Sequence, residues 1–119
     1  MQKNPLSDMV YESINLAPYV SSVITIQGGV VATRISEKTF LIAFNGITSA
    51  TQSYDSVLFS NLPFRINQLA VSWLFANPAN SGEFNASTRC MLVGSGTEIR
   101  AAHPVMGNLF YGQLVVTVD

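Results

Sequence analysis

The sequence predicts an all-β domain, either a barrel or a sandwich. Segments rich in strand-forming residues recur about every 8 to 12 residues, and turns of Gly, Pro, Asn and Ser separate them. No convincing amphipathic helical pattern interrupts these segments. The 119 residues are enough for one domain with a modest hydrophobic core.

The segment 69–76 carries the clearest strand signature. Its alternating residues fall into two sets: Leu69, Val71, Trp73 and Phe75, and Ala70, Ser72, Leu74 and Ala76. Successive strand residues point to opposite faces of a sheet, and here both faces are largely apolar. A small antiparallel sheet usually has one wet face. We therefore expect one face of this strand to pack on the core and the other to meet another copy of the chain.

Residues 1–18 and residues 19–119 differ in polarity and in their content of strand-forming residues. Residues 1–18 form the most polar segment and contain two prolines, which favours an N-terminal arm or linker arriving from a preceding region. The alternative for this segment is a short helical turn capped by Ser7. Residues 19–119 contain all the strand-like segments and are predicted to form the folded domain.

The strands are expected in a definite order along the folded domain. They are predicted at 19–26, 30–35, 39–45, 57–60, 68–76, 86–93, 97–102 and 109–118. The polar turn 36–38 predicts a hairpin, and the turn 94–96 predicts a second one. Residues 46–56 are small and polar, which is typical of a loop or a weak edge strand.

The amino-acid composition indicates which classes of binding partner to expect. Only 11% of residues are charged while 48% are hydrophobic, whereas a soluble domain normally has about a quarter charged residues. Association that removes surface from water is therefore expected. The net charge of −1 and the scattered Lys and Arg residues give no basic face, so we expect no nucleic-acid partner. We also expect no membrane insertion, since no apolar run approaches about 18 residues.

Catalytic chemistry is not indicated. The chain has one histidine and one cysteine, and its acidic residues show neither metal-ligand spacing nor a catalytic motif. We expect no enzyme activity, no metal and no cofactor, and we interpret Cys90 as a buried structural thiol. A small hydrolase with paired carboxylates is the least favoured alternative.

A binding site needs only a cleft, a few oriented polar groups and an aromatic platform, and saccharides are suited to such a site. The candidate saccharide-binding residues are Trp73, Arg89, Glu98, Arg100, His103 and Tyr111. Each has a structural alternative. Arg89 and Glu98 could form a cross-strand ion pair. Core packing is favoured for Trp73, and His103 beside Pro104 could be a solvated loop residue.

Several motifs follow one another in an order that resembles a known family. Leu62-Pro63-Phe64-Arg65 precedes the central strand, a Gly turn at 94–96 joins two later strands, and a Tyr-containing strand at 109–118 ends the chain. Over roughly residues 19–119, this order resembles the C-terminal head domain of receptor-binding proteins from tailed phages, of the lactococcal siphophage type.

The resemblance implies a β-barrel or jelly-roll-like head assembled as a homotrimer at the distal tail or baseplate of a virion. Such heads bind saccharide or glycerol phosphate of the host cell wall, often in a cleft between protomers. Residues 1–18 would be the remnant of a neck or shoulder that contacts other baseplate or tail proteins.

The candidate cleft departs from the family pattern. Related heads carry a His and an Asp on the strand before the Gly turn, a Trp on the strand after it, and an Arg near the end. Here the corresponding strands offer Ser87 and Arg89, then Glu98 and Arg100, and Tyr111 near the end. A structural virion trimer, such as a tail-fibre or capsid-decoration protein that binds no sugar, is the alternative function.

Overall fold

The computed structural model of the chain describes residues 12–49, 55–77, 85–102 and 109–119. These residues form one antiparallel sheet that curls strongly into a half-barrel. The strands are β1 Ser13–Asn15, β2 Ile24–Ile26, β3 Val30–Ser36, β4 Thr39–Ser49, β5 Asp55–Phe59, β6 Ile66–Asn77, β7 Asn85–Gly96, β8 Glu98–Ala102 and β9 Leu109–Thr117. The all-β, antiparallel prediction is confirmed.

The strands do not follow their sequence order in the sheet. The order is β1-β3-β4-β9-β6-β7-β8-β5, and β2 pairs with the far end of β4. Strand β6 thus lies in the middle of the sheet, between β7 and β9. All the strands described belong to this single sheet, so its two halves face each other through curvature rather than as two separate sheets.

The segment after β1 reaches the opposite edge of the sheet. A 3₁₀ turn at Ala17–Tyr19 leads to Val20, which bridges to Phe59 on β5. The Ser21 amide donates to the Leu58 carbonyl at 2.8 Å, and the Ser60 amide donates to the Tyr19 carbonyl at 3.0 Å. These bonds satisfy backbone groups at the edge of β5 that would otherwise remain unpaired.

The core fills the inside of the curl. It is apolar almost throughout and includes four phenylalanines; its largest fully buried side chains are Phe40, Phe44, Phe59, Phe110, Leu16, Ile42, Leu58, Leu74, Leu92, Ile99, Leu114 and Val30. Leu16 lies within the predicted arm, and β1 pairs with β3. The fold therefore begins before Tyr19, and residues 1–11 of the predicted arm lie outside the described residues.

Several boundaries differ from the sequence expectations. Only Ile24–Ile26 of the predicted strand 19–26 forms strand structure beyond the Val20 bridge. Strand β4 continues to Ser49, into the predicted loop, because pairing with β2 and β9 supports it. Strand β7 continues to Gly96, so Ser95 pairs with Glu98 and the hairpin turn is Gly96-Thr97.

The described residues contain no helix with the length and apolarity needed to cross a bilayer.

Candidate functional site

An open groove of about 700 Å³ lies on the outer face of β4, β9 and β6. Its lining combines four aromatic residues with small, amide and aliphatic residues and contains no charged side chain: Ala43, Phe44, Asn45, Val71, Ser72, Trp73, Phe75, Tyr111, Gly112, Gln113 and Val115. We call this depression the outer groove.

The outer groove lies over an interruption in the pairing of β6 and β9. The two strands pair from Leu74 with Gly112 to Asn77 with Leu109, and they meet again only at the bridge between Ile66 and Val118. Between these points, residues 67–73 of β6 face the shorter stretch 113–117 of β9. The longer strand must bulge, and a bulge re-aims the side chains beside it.

Gly112 fixes the point at which the two strands meet. A Cβ atom at this position would lie 2.8 Å from the Trp73 carbonyl oxygen and 2.7 Å from Leu74 Cδ2. Only glycine allows the backbones to approach this closely. The absence of a side chain here therefore lets Trp73 and Tyr111 lie on neighbouring strands at the same end of the groove.

Gly46 shapes the opposite wall. Its φ of +94° belongs to the region that favours glycine, and the β4–β9 register shifts between Asn45 and Ile47. The Tyr111 ring lies against Gly46, with its Cε1 and hydroxyl oxygen 3.5 Å from the place a Cβ would occupy. The bulge and the missing side chain of Gly46 thus leave room for the Tyr111 ring to pack beside Asn45.

One row of outward residues crosses four strands at the groove. Arg89 on β7 is in register with Phe75 on β6, Phe75 with Tyr111 on β9, and Tyr111 with Asn45 on β4. Registered neighbours in a sheet lie about 4.5–5.5 Å apart and share a face. Two aromatic rings therefore stand between a cation at one end of the row and an amide at the other.

Trp73 is on the outside of the sheet, so the core interpretation favoured by its pattern is wrong. The side chain is 43% exposed, and Leu69, Val71 and Phe75 on the same face are exposed as well. On the opposite face, Ala70 and Leu74 are buried.

Arg89 contacts Trp73 rather than Glu98. The guanidinium carbon of Arg89 lies 4.7 Å from the centroid of the Trp73 ring, which is a cation–π contact. Glu98 instead pairs with Arg100 on its own strand, at 3.1 Å between Nη1 and Oε2. Arg89 is six residues along β7 from Ser95, the partner of Glu98, which separates the two by roughly 20 Å. The alternative considered for Arg89 and Glu98, a cross-strand ion pair, is therefore not formed.

The candidate residues predicted from sequence thus separate into three groups. Trp73 and Tyr111 line the outer groove, and Arg89 adjoins it through Trp73. Glu98 and Arg100 form an ion pair on β8 and do not line the groove. His103 lies outside the described residues.

Sequence reasoning missed Asn45, Ser72, Phe75 and Gln113 as groove residues. A signal existed for Gln113, because the alternation of β9 places it on the same face as Tyr111 and marks that face as outward. No comparable signal exists for Asn45, since only the non-local pairing of β4 with β9 brings it to Tyr111.

The reactive groups in the described part of the chain are few. Burial raises the pKa of the Cys90 thiol to about 12, so at neutral pH the side chain is a protonated, inert thiol. Within residues 12–49, 55–77, 85–102 and 109–119, no group of three or more His, Cys, Asp or Glu side chains could hold a metal ion. What the arrangement can do chemically is bind a ligand that has both apolar and hydroxyl-bearing surfaces.

Comparison of the chain with family models, curated proteins and solved structures finds no match.

Proposed function

We propose that the chain is a saccharide-binding adhesion domain that acts by binding alone, without catalysis. The observation that carries the proposal is the outer groove itself. Its aromatic residues Trp73, Phe75 and Tyr111 stand beside the hydrogen-bonding side chains of Asn45, Ser72 and Gln113. Sugar rings present apolar C–H faces and a rim of hydroxyl groups, which is the combination that such a lining complements.

The open shape of the groove also supports a saccharide. The depression crosses three neighbouring strands, and its outward side chains reach solvent. An extended glycan could enter and leave such a groove from either end, with contacts spread over several sugar units. A small enclosed metabolite would instead require a deeper pocket that covers most of its surface.

The wider biological setting in this proposal is phage adhesion. The order of motifs along the chain supports a homotrimeric host-recognition head at the distal tail or baseplate, with host cell-wall saccharide or glycerol phosphate as the receptor. The N-terminal region would join the head to other tail proteins. The curled antiparallel sheet is compatible with the β-barrel head that this setting requires.

A specific observation favours a structural trimer as the second candidate function. Outward side chains on β6 and β9 form an exposed apolar strip, which we define as Leu69, Val71, Trp73, Phe75 and Val115. Contiguous exposed apolar surface commonly marks a contact with another protein. In a virion component that binds no sugar, this strip would serve only to hold the copies together.

A binding measurement with groove variants tests the proposed function. The purified chain is applied to a glycan array that also carries purified cell-wall polysaccharides of Gram-positive bacteria, and the affinity of each glycan bound is measured by calorimetry. Trp73→Ala and Tyr111→Ala each remove an aromatic surface, and we expect at least about a tenfold loss of affinity, equivalent to about 1.4 kcal/mol.

The matched control is Ile35→Ala, which removes an exposed apolar side chain on β3 outside the groove lining. This variant should bind like the wild type. Absence of binding to every glycan by the folded wild-type chain would reject the saccharide function and favour the structural trimer. Equal affinities for wild type and both groove variants would place the saccharide elsewhere.

A further inference from the structure

We infer that the outer groove selects acidic saccharides, those carrying a carboxylate or phosphate group, and that Arg89 is the residue that determines this selectivity. This inference rests on the proposed saccharide function and adds the charge class of the ligand. It is carried by the position of Arg89, by its electrostatic surroundings and by the geometry of a guanidinium group.

Arg89 stands at the β7 end of the groove. It is in register with Phe75 and lies over the ring of Trp73, and both of these residues line the groove. A sugar resting against either aromatic side chain would therefore bring its substituents close to the Arg89 guanidinium. The residue itself is exposed to solvent, so an arriving ligand can reach it.

The charge of Arg89 is not neutralised by the described residues. The ion pairs among them are Arg34 with Glu12, Arg65 with Asp119, and Arg100 with Glu98. The groove lining adds no carboxylate of its own. A positive charge at the end of an uncharged groove attracts an anionic substituent of a sugar, whereas a neutral substituent gains no such Coulomb attraction.

The contact with Trp73 leaves Arg89 able to bind an anion. A cation–π contact engages the charge of the guanidinium with the ring face, whereas its hydrogen-bonding capacity resides in five N–H donors in the plane of the group. Those donors match the two oxygens of a carboxylate or phosphate in bidentate fashion. The Trp73 ring also restrains the long Arg89 side chain, which lowers the entropy lost on binding.

The test uses pairs of glycans that differ only in charge. Oligogalacturonides are compared with their methyl esters, and phosphomannan oligosaccharides with their dephosphorylated forms, by array and calorimetry at low and at physiological ionic strength. The two pairs distinguish a carboxylate from a phosphate as the source of the negative charge. We expect the acidic member of at least one pair to bind about tenfold or more tightly than its neutral partner, with the difference shrinking as salt is added.

Variants assign this preference to Arg89. Arg89→Gln removes the charge and should abolish the preference by lowering the affinity for the acidic member at least about tenfold more than the affinity for the neutral member, whereas Arg89→Lys should retain part of the preference. Arg100→Gln is the matched control, because it changes the net charge equally on a strand outside the groove lining. It should keep the preference.

The outcomes separate the inference from the proposed function. If no glycan of any kind binds, the saccharide function fails and the inference falls with it. If glycans bind but both members of each pair bind equally, the inference is overturned while the saccharide function stands. If Arg89→Gln lowers acidic and neutral affinities alike, Arg89 acts only by holding Trp73, and the charge selectivity is rejected.

Discussion

The two faces of β6 have similar sequence character and opposite environments. On the inner face Ala70 and Leu74 are buried, with Leu74 0% exposed. On the outer face Leu69 is 69% exposed and Trp73 is 43% exposed. Hydrophobicity would have assigned the larger, more apolar set to the core. The strand instead turns its bulkiest residues outward.

The available space explains the difference. Ala70 is in register with Gly94, and a Cβ on Gly94 would already lie 3.0 Å from Ile66 Cδ1 and 3.1 Å from Leu114 Cδ2. The space on the inner face beside Ala70 is thus already occupied, and a larger side chain there would force its neighbours to move. Crowding at this position disfavours a larger side chain on the inner face, and the outer face of β6 is left apolar and exposed.

The largest expected effect is a difference in stability between two leucine-to-alanine variants, one on each face of β6. Leu74→Ala removes buried methyl groups and leaves a cavity, and we expect it to lower the free energy of unfolding by about 2–5 kcal/mol. Leu69→Ala makes the identical change on the exposed face and should cost less than about 1 kcal/mol. Urea denaturation of both variants at one protein concentration measures the difference. Similar losses in the two variants would contradict the assignment of the faces.

The buried thiol of Cys90 should make the stability of the folded chain depend on pH. Burial raises the pKa of the thiol from the ordinary value of 9.0 to about 12, so between these pH values the unfolded chain loses a proton that the folded chain retains. The folded state binds more protons, and its stability must fall as pH rises from about 9 towards 12, by up to about 1.4 kcal/mol per pH unit.

The pH effect is measured by urea denaturation at pH 8, 9, 10 and 11 for the wild type and for Cys90→Ala. The variant lacks the thiol, and all other titrating groups are common to both proteins. The stability difference between them should therefore shrink or reverse at high pH. A difference that stays constant across this range would show that the thiol is not buried.

A substitution in the exposed apolar strip should have the smallest effect on the stability of the fold and a clear effect on assembly. Leu69→Lys places a charge on the most exposed apolar residue and should change the free energy of unfolding by less than about 0.5 kcal/mol. If copies associate through the exposed apolar strip, desolvating this charge should weaken the assembly by at least tenfold. Light scattering over a dilution series gives the mass of each species.

Ile35→Lys supplies the matched control for assembly, since Ile35 is a 46% exposed apolar residue on β3, outside the strip. It should leave the assembly unchanged. A wild-type chain that stays monomeric at all concentrations would remove the proposal that the outer face of β6 meets another copy. A trimer equally weakened by both variants would move the interface away from the strip.

Local sequence patterns were sufficient to predict the fold class and two of its hairpins. Period-two alternation, turn residues and low charge were sufficient to predict an antiparallel all-β domain and the β3–β4 and β7–β8 hairpins. The same pattern predicted that both faces of β6 are apolar. These properties are local, because each depends on a few neighbouring residues and the geometry of a strand.

The tertiary structure alone decided which face of β6 is inside and where the groove lies. Asn45, Tyr111 and Phe75 come from distant parts of the sequence, and only the pairing of β4 with β9 and of β9 with β6 aligns them. Strand order depends on long-range pairing that no local pattern encodes. The volume left by Phe40, Phe44, Phe59 and Phe110 inside the curl likewise depends on the whole sheet. Trp73 lies on the outer face although the pattern of its own strand favoured the core.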